Sequence, residues 1–548
     1  MGHTLSKLRL AVKELTRLTQ LYDDIYKRLL ASPGIPDASK PTTKSFWTVP
    51  ASPISTHISK ELPEHADIVI IGSGITGASV VYNILEYVPS GSLTIVMLEA
   101  REACSGATAR NGGHINPPLW HDYADLKGVY GEKEAKTIIK FRLAHLREMM
   151  DVAVSENIVD HCQIREVETV DVYFDDARFG TAEEAFKVWQ MDMSADTDTF
   201  YAADKESAIK VCYCILEGKY RVMDSGYSAS LQNFGLADEV SGAIIGAAGA
   251  VHPYRFVTSI LSNLLKRHPD HFFLSTHTPC TGIHSSPRGY TVVTPLGTIT
   301  TPHVVHATNA WVSHLVTSLR TKVVPIRGNM TAQRPGQALS RSTLDGYRAH
   351  IFYRDQGYDY LTQLPDGEHE LMFGGGFAQQ NKNGLSEVAD LDDGSLNWGI
   401  TNHLGGALPH YFGPSNWGAE AQPSNSSERD VADWPSGRMK SFWTGILGIS
   451  VDGRPWVGRL PPIMTRRHPP VPLPGKSPLT SAPSEWIAAG YSGEGMPHAW
   501  MSGKGLAYMV LGVEKETGLY EWFPESFIVS DKRRRKANVE DVLDRFRK

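Results

Sequence analysis

The chain of 548 residues is poor in cysteine, in long apolar runs and in surplus positive charge. Its five cysteines (Cys104, Cys162, Cys212, Cys214 and Cys280) are too scattered for a disulfide framework. No CxxC pair suggests zinc, so no metal site is expected and a reducing, intracellular (cytoplasmic) setting is. No apolar stretch approaches the roughly 20 residues of a membrane-spanning helix, and the N-terminus has no signal-peptide core. With 54 basic against 60 acidic residues the net charge is −6, which leaves no general attraction for nucleic acid.

What is present is a folded α/β composition: 41% hydrophobic residues, 21% charged residues and 49 glycines. The length exceeds what one core usually serves, so two domains are expected. "MGHTLS" fits the short acylation pattern M-G-x-x-x-[ST], which chance also meets often, and would allow weak membrane association. Leucines at helical spacing from Leu5 to Leu30 predict an amphipathic helix docked on the domain or on a partner. Ser32 to Pro53 then reads as a proline-rich linker.

"DIVIIGSGITGASVVYNIL" (Asp67 to Leu85) carries the strongest signal. Four β-branched residues without polar alternation suit a strand buried on both faces. Gly72, Gly74 and Gly77 then give a tight turn, a close approach for a phosphate and close helix packing. "SLTIVMLEA" supplies a second strand and ends at Glu99, 22 residues after Gly77, where an acid meets a ribose hydroxyl. An acid there favours FAD or NAD over NADP, and the motif does not choose between those two.

Next to it, "EAREACSGATARNGGHINP" packs small, hydrogen-bonding residues after the acid. Near the other end, "WIAAGYSGEGMPHAWMSGKGLA" repeats strand, glycine turn and helix. Its N–H groups from Gly493 to Met496 suit a group that becomes anionic, such as one edge of a flavin. Val167 onward switches from strand-like to helical, and "HVVHATNA" returns to the parallel core. From Val324 to about Lys440, runs such as "AHIFYRD" and "YDYLTQL" predict an antiparallel sheet flooring a substrate pocket. Phe412 to Gly437 and Pro461 to Pro483 read as surface loops, and "KRRRK" (Lys532 to Lys536) as a solvated face or, less simply, a nuclear signal.

Together these stretches resemble the FAD-dependent oxidoreductases of the D-amino acid oxidase and sarcosine oxidase superfamily, above all the glycine oxidase and γ-glutamylputrescine oxidase type. The motifs, in order, are "VIIGSGITGAS", "LEAREACSGATARNGGH", "GAVHPYRFV", "VVHATNAW" and "WTGILGISVDGRPWVG" leading to "AAGYSGEGM". The resemblance implies an α/β fold, with a Rossmann-like FAD-binding domain (66–165, 246–323, 441–515) interleaved with an antiparallel-sheet substrate domain (166–245, 324–440). Residues 1–65 precede it and a charged extension, 516–548, follows.

The resemblance places Gly72, Gly74, Ile75, Thr76 and Gly77 on the pyrophosphate, and Glu99, Ala100 and Arg101 at the adenosine ribose. Ser105, Gly106, Ala107, Thr108, Asn111, Gly112, Gly113 and His114 lead toward the flavin ring. Cys280 lies at adenine, Ala307, Thr308 and Asn309 over the nucleotide, and Gly490, Gly493, Glu494, Gly495 and Met496 at the flavin. Relatives that bind flavin covalently use a cysteine in the segment matching Trp443 to Gly453, where none stands here, so FAD is expected to be dissociable. Cys104 is either a rival attachment point or a buried small residue.

The expected reaction passes a hydride equivalent from the C–N bond of a small amine or amino acid to flavin, with O2 or another acceptor downstream. His114 is a candidate for contact with ring or substrate, or a structural histidine. Arg354, with Tyr353, Tyr358 and Tyr360, is a candidate grip for a substrate carboxylate, or a surface residue. A 2-hydroxy-acid or glycerol-phosphate dehydrogenase on the same fold is the alternative. A flavin monooxygenase is disfavoured, because "GYSGEGM" lacks the aspartate of its ribityl motif.

Overall fold

A computed structural model of the protein describes residues 2–193, 235–339, 346–354, 357–379, 384–420, 437–471 and 479–545, with five short strands between 201 and 229. Ile68–Ile71 is the third strand of a six-stranded sheet in the order Phe272–Ser275, Ile95–Leu98, Ile68–Ile71, His303–His306, Ser484–Ala489, Trp456–Arg459. All neighbours are parallel except the last pair. Alternate residues of the central strands enter different cores. Ile68, Ile70, Ile95 and Met97 pack with the helices Ile75–Tyr87, Pro253–Arg267 and Ala499–Leu511. Val69, Ile71, Val96 and Leu98 pack instead with Tyr290, Val292 and Ile299 of a three-stranded meander. Both faces being covered explains the unbroken apolar run, each such side chain contributing about 1.5–3 kcal/mol on burial.

The second sheet has nine strands, eight of them in the order Met439–Ser450, Val323–Gln333, Leu371–Gly374, Tyr358–Gln363, Arg348–Tyr353, Arg165–Tyr173, Gly242–Ala250, His114–Ile115, with Tyr201–Asp204 also on Gly242–Ala250. It is antiparallel apart from Arg348–Tyr353 on Arg165–Tyr173. One face is sealed by the helix Trp398–Phe412 through Ile400, Leu404 and Leu408. The other face is the expected floor. His114–Ile115 and Met439–Ser450, from segments expected on the FAD side, pair within this sheet and tie it to the parallel one.

The N-terminal helix, Gly2–Leu30, docks only by its last third, where Leu21, Ile25 and Leu29 are buried against Val312, Val316 and Val323. Ser32 to Pro53 departs from its reading as a linker. Phe46 and Trp47 are buried, and the Trp47 indole N–H donates to Asn111 O at 2.6 Å. The basic run is a solvated face at Lys532, Arg535 and Lys536, with one exception: Arg533 is buried, bonds both oxygens of Asp452 and lies 4.0 Å from the Trp456 ring centroid. Of the two expected loops, Phe412 closes a helix and Pro414–Trp417 forms a short one, while 421–436 and 472–478 lie outside the described residues.

Candidate active site

A cavity of about 320 Å³ opens at the C-terminal ends of the parallel strands, the position where a topological switch leaves a crevice. Gly72 turns there with φ +107°, and a Cβ on it would stand 2.7 Å from Ala307 O. A Cβ on Gly77 would stand 2.0 Å from Gly72 O, so Gly77 lets the helix Ile75–Tyr87 seat on the strand and itself lies beneath the cavity. No side chain of Gly74, the residue before this helix, caps it, so its positive end faces the cavity at Ile75 and Thr76. Thr108 Oγ1 accepts from Ile75 N at 3.0 Å and holds the next loop against that end.

At the ribose end Glu99 is clamped. One carboxylate oxygen accepts from Ser73 N at 3.1 Å and Ser73 Oγ at 2.7 Å, and the other from Arg101 N at 3.1 Å. Glu99, Ala100, Arg101 and Cys280 line the cavity, but the Arg101 guanidinium turns to Asp393 at 2.8 Å. Gly106, Ala107 and Thr108 line it too, whereas Ser105 lies behind them. Cys104 is buried outside the lining, and burial pushes its thiol well up, which leaves little thiolate for attachment chemistry.

The second turn follows Ser484–Ala489. Gly493, at φ +89°, and Gly495 face open space, since a Cβ on either meets nothing within 4 Å. Tyr491 hydroxyl and Thr76 Oγ1 lie 2.8 Å apart, so one bond joins the two glycine turns. Asn309 Oδ1 accepts from Gly490 N at 2.9 Å, which makes Gly490 a support outside the lining. The expectation of free N–H groups from Gly493 to Met496 needs one correction: Glu494 N donates to Tyr491 O at 2.9 Å. The space fits a dinucleotide bearing a flat ring system. Backbone approaches it at both turns, and two buried polar atoms of the lining, Thr308 Oγ1 and Asn329 Oδ1, have no partner.

The remaining wall comes from the nine-stranded sheet: Asn329, Met330, Ile351, Tyr358 and Tyr360, with His114 and Asn116 at its edge. Gly112 lies against Tyr360, where a Cβ would stand 2.8 Å from the ring, and Gly113 lies outside the lining against Val251 and Trp47. His114 Nε2 donates to Leu361 O at 2.8 Å, leaving Nδ1 as the acceptor, and burial lowers its pKa from 6.5 to about 4. Burial raises Glu494 from 4.5 to about 7; Asp122 adds to that rise and Arg142, 4.0 Å away, opposes it.

Two expected residues lie elsewhere. Arg354 stacks over Phe174 and Tyr411, 4.9 and 5.5 Å from their centroids, beside a separate small pocket. Tyr353 stacks on Tyr173 and its hydroxyl meets His121 Nε2 at 2.8 Å, behind the wall.

Sequence reasoning missed Gly34, Ile35 and Pro36 of the N-terminal strap, and Gly445 to Gly448, all of which line the cavity. It also missed Arg110, which donates to Ser105 O, Thr43 O, Thr444 O and Thr42 Oγ1 and so pins the strap across the cofactor loop. The signal available was the density of Pro, Ser and Thr around Phe46 and Trp47, two large apolar residues that a solvated linker would not carry.

A mostly parallel sheet covered by helices on one face and a β-meander on the other, glycine turns at two helix starts, a clamped acid and a wall of side chains define a dinucleotide-binding protein. Residues 67–509 match the family model described as DAO, FAD dependent oxidoreductase, and the chain belongs to that family. No curated protein matches it in sequence. Among solved structures it is similar to glycine oxidase from Geobacillus kaustophilus, at 14% identity and TM-score 0.58, over 86% of this chain and 99% of that one. L-amino acid deaminase from Proteus myxofaciens, in complex with anthranilate, is 14% identical at TM-score 0.57, over 90% and 99%. L-alpha-glycerophosphate oxidase from Mycoplasma pneumoniae, with FAD bound, is 12% identical at TM-score 0.51, over 82% and 95%. At these identities the likeness is one of fold. The protein is an FAD-dependent oxidoreductase, and among its described residues no helix is long and apolar enough to cross a membrane.

Proposed function

We propose that the enzyme oxidises the C–N bond of a small amine or amino acid. Bound FAD supplies the acceptor for two electrons and a hydrogen nucleus. In this reading Gly72, Gly74, Ile75 and Thr76 receive the pyrophosphate, Glu99 the ribose, the Cys280 backbone the adenine, and Gly445 to Gly448 with Gly493 to Met496 the ring. Residues 66–165, 246–323 and 441–515 chiefly serve the cofactor, and 166–245 with 324–440 the substrate. The cofactor is dissociable, because no cysteine stands between Trp443 and Gly453. The three described free thiols, all buried, support an intracellular setting.

The observation that carries the amine reading is the state of His114. Its Nδ1 is left as an acceptor, but burial lowers the imidazole to about 4, which makes it a poor base for a hydroxyl proton. A neutral amine would need none: bound FAD would supply the hydride acceptor, the nitrogen lone pair would close the C=N bond, and the chain would only have to hold the C–H bond toward Gly445 to Gly448 and Gly493 to Met496, where the ring would lie. The proton that must leave first is the ammonium proton, and Glu494, at about 7, is matched to accept it.

Stopped-flow measurement of anaerobic flavin reduction across a pH series tests this. At low substrate the rate is expected to climb through about pH 7 and on toward the substrate's own pKa, about 10.4 for a lysine-like amine. Bleaching by a 2-hydroxy acid but by no amine or amino acid would replace this reading with the alcohol one.

A further inference from the structure

Among the described residues, the wall proposed to meet the substrate is poor in usable positive charge. A buried carboxylate binds tightly where a guanidinium or ammonium meets it, and pays several kcal/mol of desolvation where none does. Among the described residues the cavity lining holds two guanidinium groups, Arg101 and Arg110. Arg101 is spent on Asp393, and Arg110 on the strap and strand carbonyls. Arg142, the cation nearest Glu494, lies outside the lining. Its two terminal nitrogens meet the Asp122 oxygens at 2.8 and 2.9 Å, and its Nε donates to His498 Nε2 at 3.1 Å. Arg354 is held between aromatic rings in the other pocket.

Among the described residues, the charge that does reach this wall is negative. Glu494 lines the cavity, with Asp122 on the far side of Arg142 and Asp171 behind it on His121 at 3.2 Å. Tyr358 and Tyr360 stand beside it with ring centroids 6.4 Å apart, π surfaces of the kind that attract an alkylammonium. Met330, Ile351, Ile446 and Leu447 complete an apolar surround.

We infer that the substrate is an amine with no carboxylate on its reacting carbon, held as a cation by Glu494 against the Tyr358 and Tyr360 rings. This rests on the C–N reading above and narrows it, setting the enzyme apart from amino-acid oxidation. The acid and the rings choose the charge, and the apolar side chains choose the body of the molecule.

Two measurements on the holoenzyme test it. In the first, benzylamine and benzoate are titrated at about pH 8, where benzylamine is a cation, and binding is read from the shift of the flavin absorption bands. Benzylamine is expected to bind at least about tenfold tighter, a ratio that Glu494→Gln brings to about one. Tighter binding of benzoate would overturn the inference, whether or not either compound is turned over. In the second, anaerobic flavin reduction is compared within matched pairs: ethylamine with alanine, benzylamine with phenylglycine, phenethylamine with phenylalanine. The amine of each pair is expected to lead by about tenfold. A lead by the amino acids sinks this inference and leaves the C–N reading standing, whereas no reduction by either set, with reduction by a hydroxy acid, sinks the C–N reading and this inference with it.

Discussion

The two walls of the cavity are made of different material. At the parallel sheet the surface is backbone: Gly72 and Gly493 in positive-φ turns, and Gly495, whose missing Cβ leaves open space. At the nine-stranded sheet, apart from the glycine-bounded stretch Gly445 to Gly448, it is side chain: Tyr358, Tyr360, Met330, Asn329 and His114. Backbone cannot vary with the sequence, so it suits a cofactor that a whole family shares. Side chains can, so they suit the part of the reaction that differs between members. The family assignment and the open substrate question therefore sit on opposite sides of one space.

If that division holds, changes on the backbone side cost flavin and changes on the other side cost turnover. The largest effect is expected at Gly77→Ala, whose Cβ would stand 2.0 Å from Gly72 O. The helix must lift off its strand, and FAD content after purification should fall at least about tenfold, as expected for overpacking worth about 1–3 kcal/mol. Gly74→Ala is milder, because its Cβ meets only the rotatable Thr108 hydroxyl at 3.0 Å. Equal flavin loss in both variants would remove the distinction between packing glycine and open glycine.

Arg110→Met should come next. It strips the strap of its bonds to Thr42 and Thr43 and leaves the buried Ser105 and Thr444 carbonyls short of a donor, for a loss of about 1–3 kcal/mol read by denaturant unfolding. Tyr358→Ala, on the other wall, should keep its FAD and slow reduction by about tenfold, the worth of about one cation–π face. Loss of flavin in Tyr358→Ala would break the comparison.

A smaller effect concerns pH. His114 and the fully buried His145, which is held through Nδ1 to Phe141 O and accepts from Met501 N, are both lowered by burial from 6.5 to about 4. Between those values the unfolded chain binds protons that the folded chain refuses. Their contribution is thus present above pH 6.5 and lost as pH falls toward 4. Melting temperature should decline over that window, with a shallower slope in His145→Gln; identical slopes would contradict this. The smallest effect is expected from deleting residues 2–19. Leu5, Leu8, Val12 and Leu15 are exposed, and the docked part begins at Leu21, so flavin content and stability should stay within about 0.5 kcal/mol of the full chain.

The same division governs what the sequence makes legible. Gly72, Gly74, Gly77 and Glu99 sit within 28 residues, and each has a local reason to be what it is, so their pattern can be read from a short window. The wall has no such window. His114 meets Leu361 across 247 positions, and Thr362 meets Gly112 across 250. Tyr358 and Tyr360 fall on a strand that alternation identifies, but alternation does not say which face turns to a cavity. Arg354 was the natural choice for a carboxylate on charge alone, and its packing between Phe174 and Tyr411 follows from long-range contacts. The strap around Trp47 was hidden because proline-rich composition reads the same whether a segment is solvated or pinned by a buried arginine.

The most direct test of the backbone-built cofactor site is a titration of flavin-free protein with FAD and with FMN, read by quenching of flavin fluorescence. FMN carries the ring but not the adenylate half that the Glu99 and Cys280 end would hold. One FAD per chain, bound at least about 100-fold tighter than FMN, is the predicted result. Equal affinity for the two, or no saturable binding of FAD, would contradict it.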